Sequence, residues 1–212
     1  MKGLITKDLF MIVKYFKLYF LLDVIFIIAA FLSPETVSFM MVPVLISGII
    51  PISLLAYDER SRWTEYSGTL PYSRTQIVSA KYLMGLLMQS VLCAVLYIML
   101  LITGAYHGNF DPAGSAVTVM MLFVFAAFFP AVCLPFCFAF GTEKGRYACM
   151  AFIGAFIAVS VTLGSTNVSG DITTQDLAMT IPPIIWAVVI AVYALSWLLS
   201  ILIYSKKEAG KM

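Results

Sequence analysis

Six long apolar runs separated by short polar segments set the pattern of this chain: 18–32, 37–56, 77–104, 116–140, 148–164 and 183–204. A membrane-crossing helix needs about 17–25 mostly apolar residues, so each run predicts one spanning helix. The first is at the short end, and the third is long enough to tilt or to project beyond the bilayer. Pro34, Pro112 and the Pro182–Pro183 pair fall near predicted span ends, where proline is tolerated. Ahead of the first run, residues 1–17 repeat with helical period. Ile5, Leu9, Ile12, Val13 and Phe16 share one face and Lys7, Lys14 and Lys17 flank it. That pattern predicts a helix lying in the headgroup layer before the chain turns into the membrane. A basic start before an apolar run also resembles a signal peptide. The many spans downstream and the lack of a small-x-small cleavage site favour an uncleaved first span.

The predicted fold is therefore all-α: a polytopic membrane protein of six transmembrane helices in one domain, with an N-terminal amphipathic interfacial helix. The segments are the interfacial helix (1–17), spans 1–2 (18–57), a polar elbow (58–76), spans 3–4 (77–140), a turn (141–147), spans 5–6 (148–204) and a tail (205–212). Composition agrees. The chain is 62% hydrophobic and 11% charged, where soluble domains carry about 25% charged residues. The four cysteines, Cys93, Cys133, Cys137 and Cys149, all fall in apolar runs and read as small buried hydrophobes rather than a disulfide framework.

Charge placement gives the orientation. All 13 Lys and Arg residues lie in 1–17, 58–81, 141–147 or the tail. The segments 33–36, 105–115 and 165–182 contain none and carry only the acids Glu35, Asp111, Asp171 and Asp176. Basic residues gather on the cytoplasmic side, which predicts both termini inside.

The longest polar interruption, YDERSRWTEYSGTLPYSRTQ at 57–76, lies between two spans and so projects into water. A short helix is expected over Arg60–Ser67, stopped by Gly68, with Leu70-Pro71 forcing an extended turn. Ser73-x-x-Gln76 reads as a capping box that restarts the helix into span 3. Asp58, Glu59, Arg60, Arg62 and Glu65 alternate in sign around Trp63 and Tyr66. Exposed aromatics and Arg mark surfaces where proteins dock, against the plainer reading of a solvated loop that only fixes topology. The second inner loop carries Glu143, Lys144 and Arg146 between two glycines in a tight turn able to touch the same partner.

Other chemistry is sparse. G-x-x-x-x-G-K-[ST], G-x-S-x-G and H-E-x-x-H do not occur, and His107 is the only histidine, so no nucleotide, hydrolase or zinc site is expected in this chain. Cys133 and Cys137 at i, i+4 on a proline-bearing helix, with 12 Met in the chain, evoke a soft-metal path. No Met-x-Met or Cys-x-Cys pairing supports it. Asp23 is the only acid well inside a span. It reads either as a vestibule residue or as the ion-pair partner of Lys17, roughly 9 Å away along the helix. Phe128 and Phe129, in a phenylalanine-rich fourth span, read as packing or as part of a greasy conduit.

Three blocks resemble a known family, the short six-helix permease subunits of bacterial ABC-2 type ATP-binding-cassette exporters. They are MKGLITKDLFMIVKY, DERSRWTEYSGTLPYSRTQIVSAKYLMGL and LPFCFAFGTEKGRY, about a third of the chain. Where a basic residue is expected before Phe140-Gly141, this chain has Ala139. The resemblance implies a non-catalytic permease in the plasma membrane, dimeric with itself or a relative and docked on two ATPase subunits that bind ATP and Mg. It implies a coupling helix at Asp58–Tyr66, an outer gate within 165–182, and export of amphipathic, antimicrobial or toxin peptides, as in phenol-soluble modulin exporters. No nucleic-acid partner is expected. Two alternatives remain from the residues alone: a non-transporting scaffold that recruits a soluble protein, and an ion-coupled transporter acting through Asp23.

Overall fold

The structure, a computed structural model, describes residues 2–32, 36–63, 66, 73–106, 108, 110–145, 147, 150–151, 154 and 182–209. These contain six long helices: α1 (Lys2–Tyr15), α2 (Lys17–Leu32), α3 (Thr36–Arg60), α4 (Arg74–Tyr106), α5 (Pro112–Phe140) and α6 (Pro182–Ala209). No strand occurs among the described residues. α3 to α6 are each long and apolar enough to cross a membrane, and α1 with α2 forms a fifth candidate bent by 69°. The bend falls at Phe16, the one non-helical residue between them. The fold is all-α and that of a multi-pass membrane protein. The predicted fifth span, 148–164, and the segment 165–182 fall almost wholly outside the described residues.

The helix ends follow from local chemistry. At the start of α4 the expected capping box is present. Gln76 N–H donates to Ser73 Oγ at 3.3 Å and Ser73 N–H donates to Gln76 Oε1 at 3.2 Å, which answers two donors that the first helical turn leaves open. α5 begins four residues before the predicted span. Asp111 caps it by accepting from the N–H groups of Ala113 and Gly114 at 3.1 and 3.0 Å. Pro112 occupies the first helical position, where no N–H is needed.

α3 is the central post. Its apolar window is 67% buried against 11% for α6, and it packs on α1, α2, α4 and α5. At one end Ala30, Met40, Val44, Leu96, Met99 and Leu122 form a core from α2 to α5. Towards the other end Ile52, Leu55, Val78, Leu134, Cys137 and Phe138 join α3, α4 and α5, with Tyr204 of α6. Cys93, Cys133 and Cys137 are buried and form no disulfide among the described residues.

Lipid does not drive apolar helices together as water does, so close approach and interhelical hydrogen bonds decide the packing. A Cβ on Gly85 would stand 3.2 Å from Pro51 Cγ, and one on Gly48 would stand 3.3 Å from the Phe129 ring. Pro130 and Pro135 lie inside α5 and release the carbonyls four residues earlier. One of these, Ala131 C=O, accepts from Ser196 Oγ of α6. Tyr82 Oη then bridges Ser196 and Ser200, each at 2.7 Å. Tyr193 Oη donates to Tyr82 C=O at 2.9 Å. α6 is thus held to α4 and α5 by polar side chains, as backbone and hydroxyl groups away from water require.

The turn after α5 is tight. Gly141 takes φ 85, in the region that favours glycine, and its N–H donates to Cys137 C=O at 2.9 Å. One turn on, a Cβ at Gly145 would come within 2.7 Å of Cys137 Cα, a backbone atom. Gly145→Ala is therefore expected to destabilise the protein by about 1–3 kcal/mol, read as a lower midpoint of thermal unfolding in detergent. Ala substitution at Gly154, which has open space around it, should leave that midpoint in place.

Candidate functional site

Where α1, α3 and α4 meet, four charged side chains are gathered. Lys7 and Asp8 come from α1, Asp58 from the last turn of α3, and Lys81 from the second turn of α4. They close a ring. Lys7 Nζ lies 3.3 Å from Asp8 Oδ1, and Asp8 Oδ1 lies 2.8 Å from Lys81 Nζ. Lys81 Nζ lies 2.6 Å from Asp58 Oδ2, and Asp58 Oδ1 lies 2.7 Å from Lys7 Nζ. Asp8, Asp58 and Lys81 are 1%, 2% and 2% exposed, so three of the four charges have left bulk solvent. Asp8 lies one turn from Leu4 and one from Ile12, both buried, which puts a carboxylate on the packed face of α1. A buried charge is tolerated only where it is paired and hydrogen-bonded, and each group here has two partners of opposite sign.

The packed face of α1 differs from the apolar face expected for it. Leu4, Ile12 and Phe16 are buried, whereas Leu9, Phe10 and Val13 are exposed. The apolar side of the helix is split between the protein and its surroundings. Ile12 and Phe16 pack with Ile50, Leu54 and Met84, and Leu4 packs with Ile77 and Ala80.

Of the helix expected over Arg60–Ser67, Arg60 belongs to the end of α3, and Trp63 and Tyr66 are helical beyond a break. α3 runs unbroken through Asp58-Glu59-Arg60, a stretch without Gly or Pro in which Asp58 is held in the ring. The break comes at Ser61-Arg62. Arg62 adopts φ 54, and its N–H donates to Glu59 C=O at 3.1 Å. A left-handed conformation costs an L residue about 1 kcal/mol or more. Tyr66 N–H then donates to Arg62 C=O at 3.4 Å, the first bond of a further turn. Thr64, Glu65 and residues 67–72 lie outside the described residues.

The predicted docking residues have separate surroundings. Asp58 is enclosed in the ring, not presented on a surface. Glu59 turns the other way and receives Thr142 N–H at 2.8 Å, along with the Thr142 hydroxyl. The end of α3 is thereby tied to the second polar loop. Trp63 is half-buried against Leu4, Ile77 and Ala80, with Lys7 Nζ 4.1 Å from its ring centre. Arg60, Arg62, Tyr66, Glu143 and Lys144 are exposed, and Arg146 lies outside the described residues. A cleft of about 890 Å³ separates the end of α3 from the 141–144 turn, with Arg60, Glu143 and Lys144 on its polar side.

Asp23 is buried, and its Oδ1 has no hydrogen-bond partner. Lys17 is exposed, and no ion pair among the described residues joins the two. Phe129 packs against Gly48, and Phe128 is partly exposed on the same helix. The sequence reading missed Lys7, Asp8 and Lys81 as a unit. The available signal was an acid on the Leu4/Ile12 face of α1 and a lysine inside the apolar start of α4.

A family model described as ABC-2 family transporter protein matches residues 3–205. The match covers nearly the whole chain, and the protein belongs to that family as an ABC-2 type permease. A comparison with curated proteins finds no match.

Removing one member of a buried ion cluster leaves the others uncompensated, at a cost of about 3–5 kcal/mol. Lys81→Met, which strips both Asp8 and Asp58 of a partner, is expected to lose stability on that scale in denaturant unfolding of the detergent-solubilised protein. Lys144→Met, at an exposed position with no ion pair among the described residues, should change it by well under about 1 kcal/mol.

Proposed function

We propose that this chain is the membrane-spanning permease subunit of an ATP-driven exporter, and that the end of α3 with the elbow beyond it is where a separate ATPase delivers mechanical work. ABC-2 permeases work with an ATPase subunit, and this sequence contains no phosphate-binding loop. ATP and Mg2+ therefore bind in the partner. The carrying observation is the ion ring at the base of the elbow. Asp58 opens the elbow, Lys81 follows it, and the two pair at 2.6 Å, so the segment between them is braced at both ends. Exposed Arg62 and Tyr66 project from that base, and Glu143 and Lys144 stand across the cleft. Arg and aromatic side chains of this kind anchor protein interfaces.

In this reading the ring end of the bundle is cytoplasmic, as the segregation of all 13 Lys and Arg residues supports. α1 lies along the headgroups with Leu9, Phe10 and Val13 toward lipid, residues that are exposed in the single chain. Residues 148–164 supply a sixth span, and two copies of the permease, or one with a relative, enclose the path. The resemblance to peptide-exporter permeases of bacteria supports amphipathic peptides as the cargo and the plasma membrane as the location.

One observation favours a second reading. Asp23, buried with an unpartnered oxygen, is the kind of intramembrane carboxylate that ion-coupled transporters use. In the exporter it is a residue of the inner vestibule.

Affinity purification of the permease from its own membranes is expected to bring down an ATPase in equal stoichiometry. Recovery of the intact permease without one would favour a scaffold. Arg62→Glu combined with Tyr66→Ala should abolish that recovery while leaving membrane insertion and gel-filtration elution unchanged. Asp23→Asn should leave nucleotide-dependent transport in proteoliposomes in place. Transport that runs on an ion gradient without ATP, and stops with this substitution, would establish the second reading instead.

A further inference from the structure

The proposed function uses the outer residues of the cleft beside α3 and leaves its interior without a role. We propose that the interior receives the cargo itself and selects for an ammonium group. Glu59 binds the ammonium, and Tyr19 and Tyr57 on the opposite wall take the apolar face of the same molecule. The inference rests on the permease reading and deepens it by naming the charge that the path accepts.

Three observations carry it. The first is the shape of the space. α2 and α5 both pack on α3, and the cleft lies between them with α3 as its back wall. Its volume of about 890 Å³ suits a drug-sized molecule or a short length of peptide and is far beyond a single ion. The second is that its two sides differ. Tyr57 and Glu59 are two residues apart, which sets them about 160° apart around α3. On the Tyr57 side Tyr19 of α2 lines the cleft. Phe16 backs both, with ring centres 5.3 Å from Tyr19 and 5.8 Å from Tyr57. On the Glu59 side stand Thr142 and Glu143. One wall is aromatic and the other acidic, which is the division an amphipathic molecule presents. The third is an unanswered charge. Glu59 is half-buried, and no cation pairs with it among the described residues, whereas its neighbour Asp58 holds two lysines. Thr142 donates to Glu59 Oε2, which leaves Oε1 for an occupant. Arg60, Glu143 and Lys144 are exposed, so water satisfies them and the half-buried carboxylate decides which charge is drawn in. A carboxylate withdrawn from water favours a cation that hydrogen-bonds to it. Ser53, on the back wall, is 4% exposed and its hydroxyl makes no hydrogen bond among the described residues. It is placed to meet an amide of a peptide occupant.

Octylammonium is the probe, with octanoate and octanol carrying the same tail on an anion or on no charge. The readout is the thermal unfolding midpoint of the permease in a maltoside detergent, which rises when a ligand binds the folded state. Octylammonium is expected to raise it saturably, and octanoate and octanol are not. Glu59→Gln, which keeps an oxygen for Thr142, should abolish the rise. Tyr19→Ala should weaken the apparent affinity by about tenfold through lost apolar contact. The absence of any rise with octylammonium would overturn the proposal. So would an equal rise with octanoate or octanol, or a rise that survives Glu59→Gln. In the permease–ATPase complex in nanodiscs, an amphipathic leucine–lysine peptide is expected to stimulate ATP hydrolysis. Its lysine-acetylated form, which lacks the charge, is not. Equal stimulation by both, or none by either, would overturn the selection for ammonium and leave the permease reading in place. A permease that binds octylammonium in this way but brings no ATPase from its membranes would overturn the permease reading, and the cargo role with it.

Discussion

Four mutually paired charges, three of them withdrawn from water, hold this structure where α1, α3 and α4 meet, and everything near them follows from the need to keep them paired. Asp8 would be intolerable on the packed face of α1 without Lys81, which reaches it from a position 73 residues later in the chain. Lys81 would be equally intolerable in the apolar start of α4 without the two carboxylates. Such a cluster adds little net stability compared with apolar residues of the same shape, since desolvation offsets much of the attraction. What it contributes is uniqueness. Apolar helices in lipid can slide and rotate against one another at small cost, but a closed ring of opposite charges permits one register of α1 against α3 and α4. At the other end of the bundle, where Ala30, Met40, Val44 and Leu96 meet, the described residues pack by shape.

The middle of the bundle solves a related problem with proline. Pro130 and Pro135 each free a carbonyl of α5, and the two are used differently. Ala131 C=O receives the Ser196 hydroxyl and so recruits α6, the most peripheral helix. Ala126 C=O faces Gly48, where a Cβ would stand 3.4 Å from the oxygen, and the missing side chain lets α3 approach. A defect in one helix thus becomes the attachment point for its neighbours. This is how broken backbone hydrogen bonding is accommodated where water cannot enter. The phenylalanines of α5 take part in the same packing, with Phe129 against Gly48 and Phe138 against Tyr204 at a ring separation of 5.7 Å.

Much of this was legible in the sequence, because the signals concerned are local. Apolar run length placed α2, α3, α4 and α6 to within a few residues, and Ser73-x-x-Gln76 marked the start of α4. Asp111-Pro112 is an equally local cap, yet a hydropathy reading passes over it, because the first turn of α5 is too polar to count as span. The ion ring was not legible. Lys7, Asp8, Asp58 and Lys81 look like ordinary charges beside membrane spans, and only the tertiary fold brings the four together. Asp58 and Glu59 show the limit best. In the sequence they are two adjacent exposed acids. In the structure they lie about 100° apart around α3, as helical geometry requires, and face different partners.

That divergence gives the last turn of α3 its character. Asp58 binds α1 and α4, while the next residue, Glu59, binds the 141–145 turn through Thr142. That turn is in turn wedged on α5 by Gly145 against Cys137. Immediately beyond, Arg62 takes a left-handed conformation, a local cost sustained only because the contacts on either side over-determine the path of the chain. A single helical turn therefore connects to α1, α4 and α5 by charge or hydrogen bond, and to α2 through the α1 bend. Displacing it by a small amount cannot be absorbed locally, since the links are buried ion pairs, the hydrogen bonds from Thr142 to Glu59 and a backbone-to-backbone wedge. A force applied at the exposed residues just past it is distributed to all the spans that surround α3.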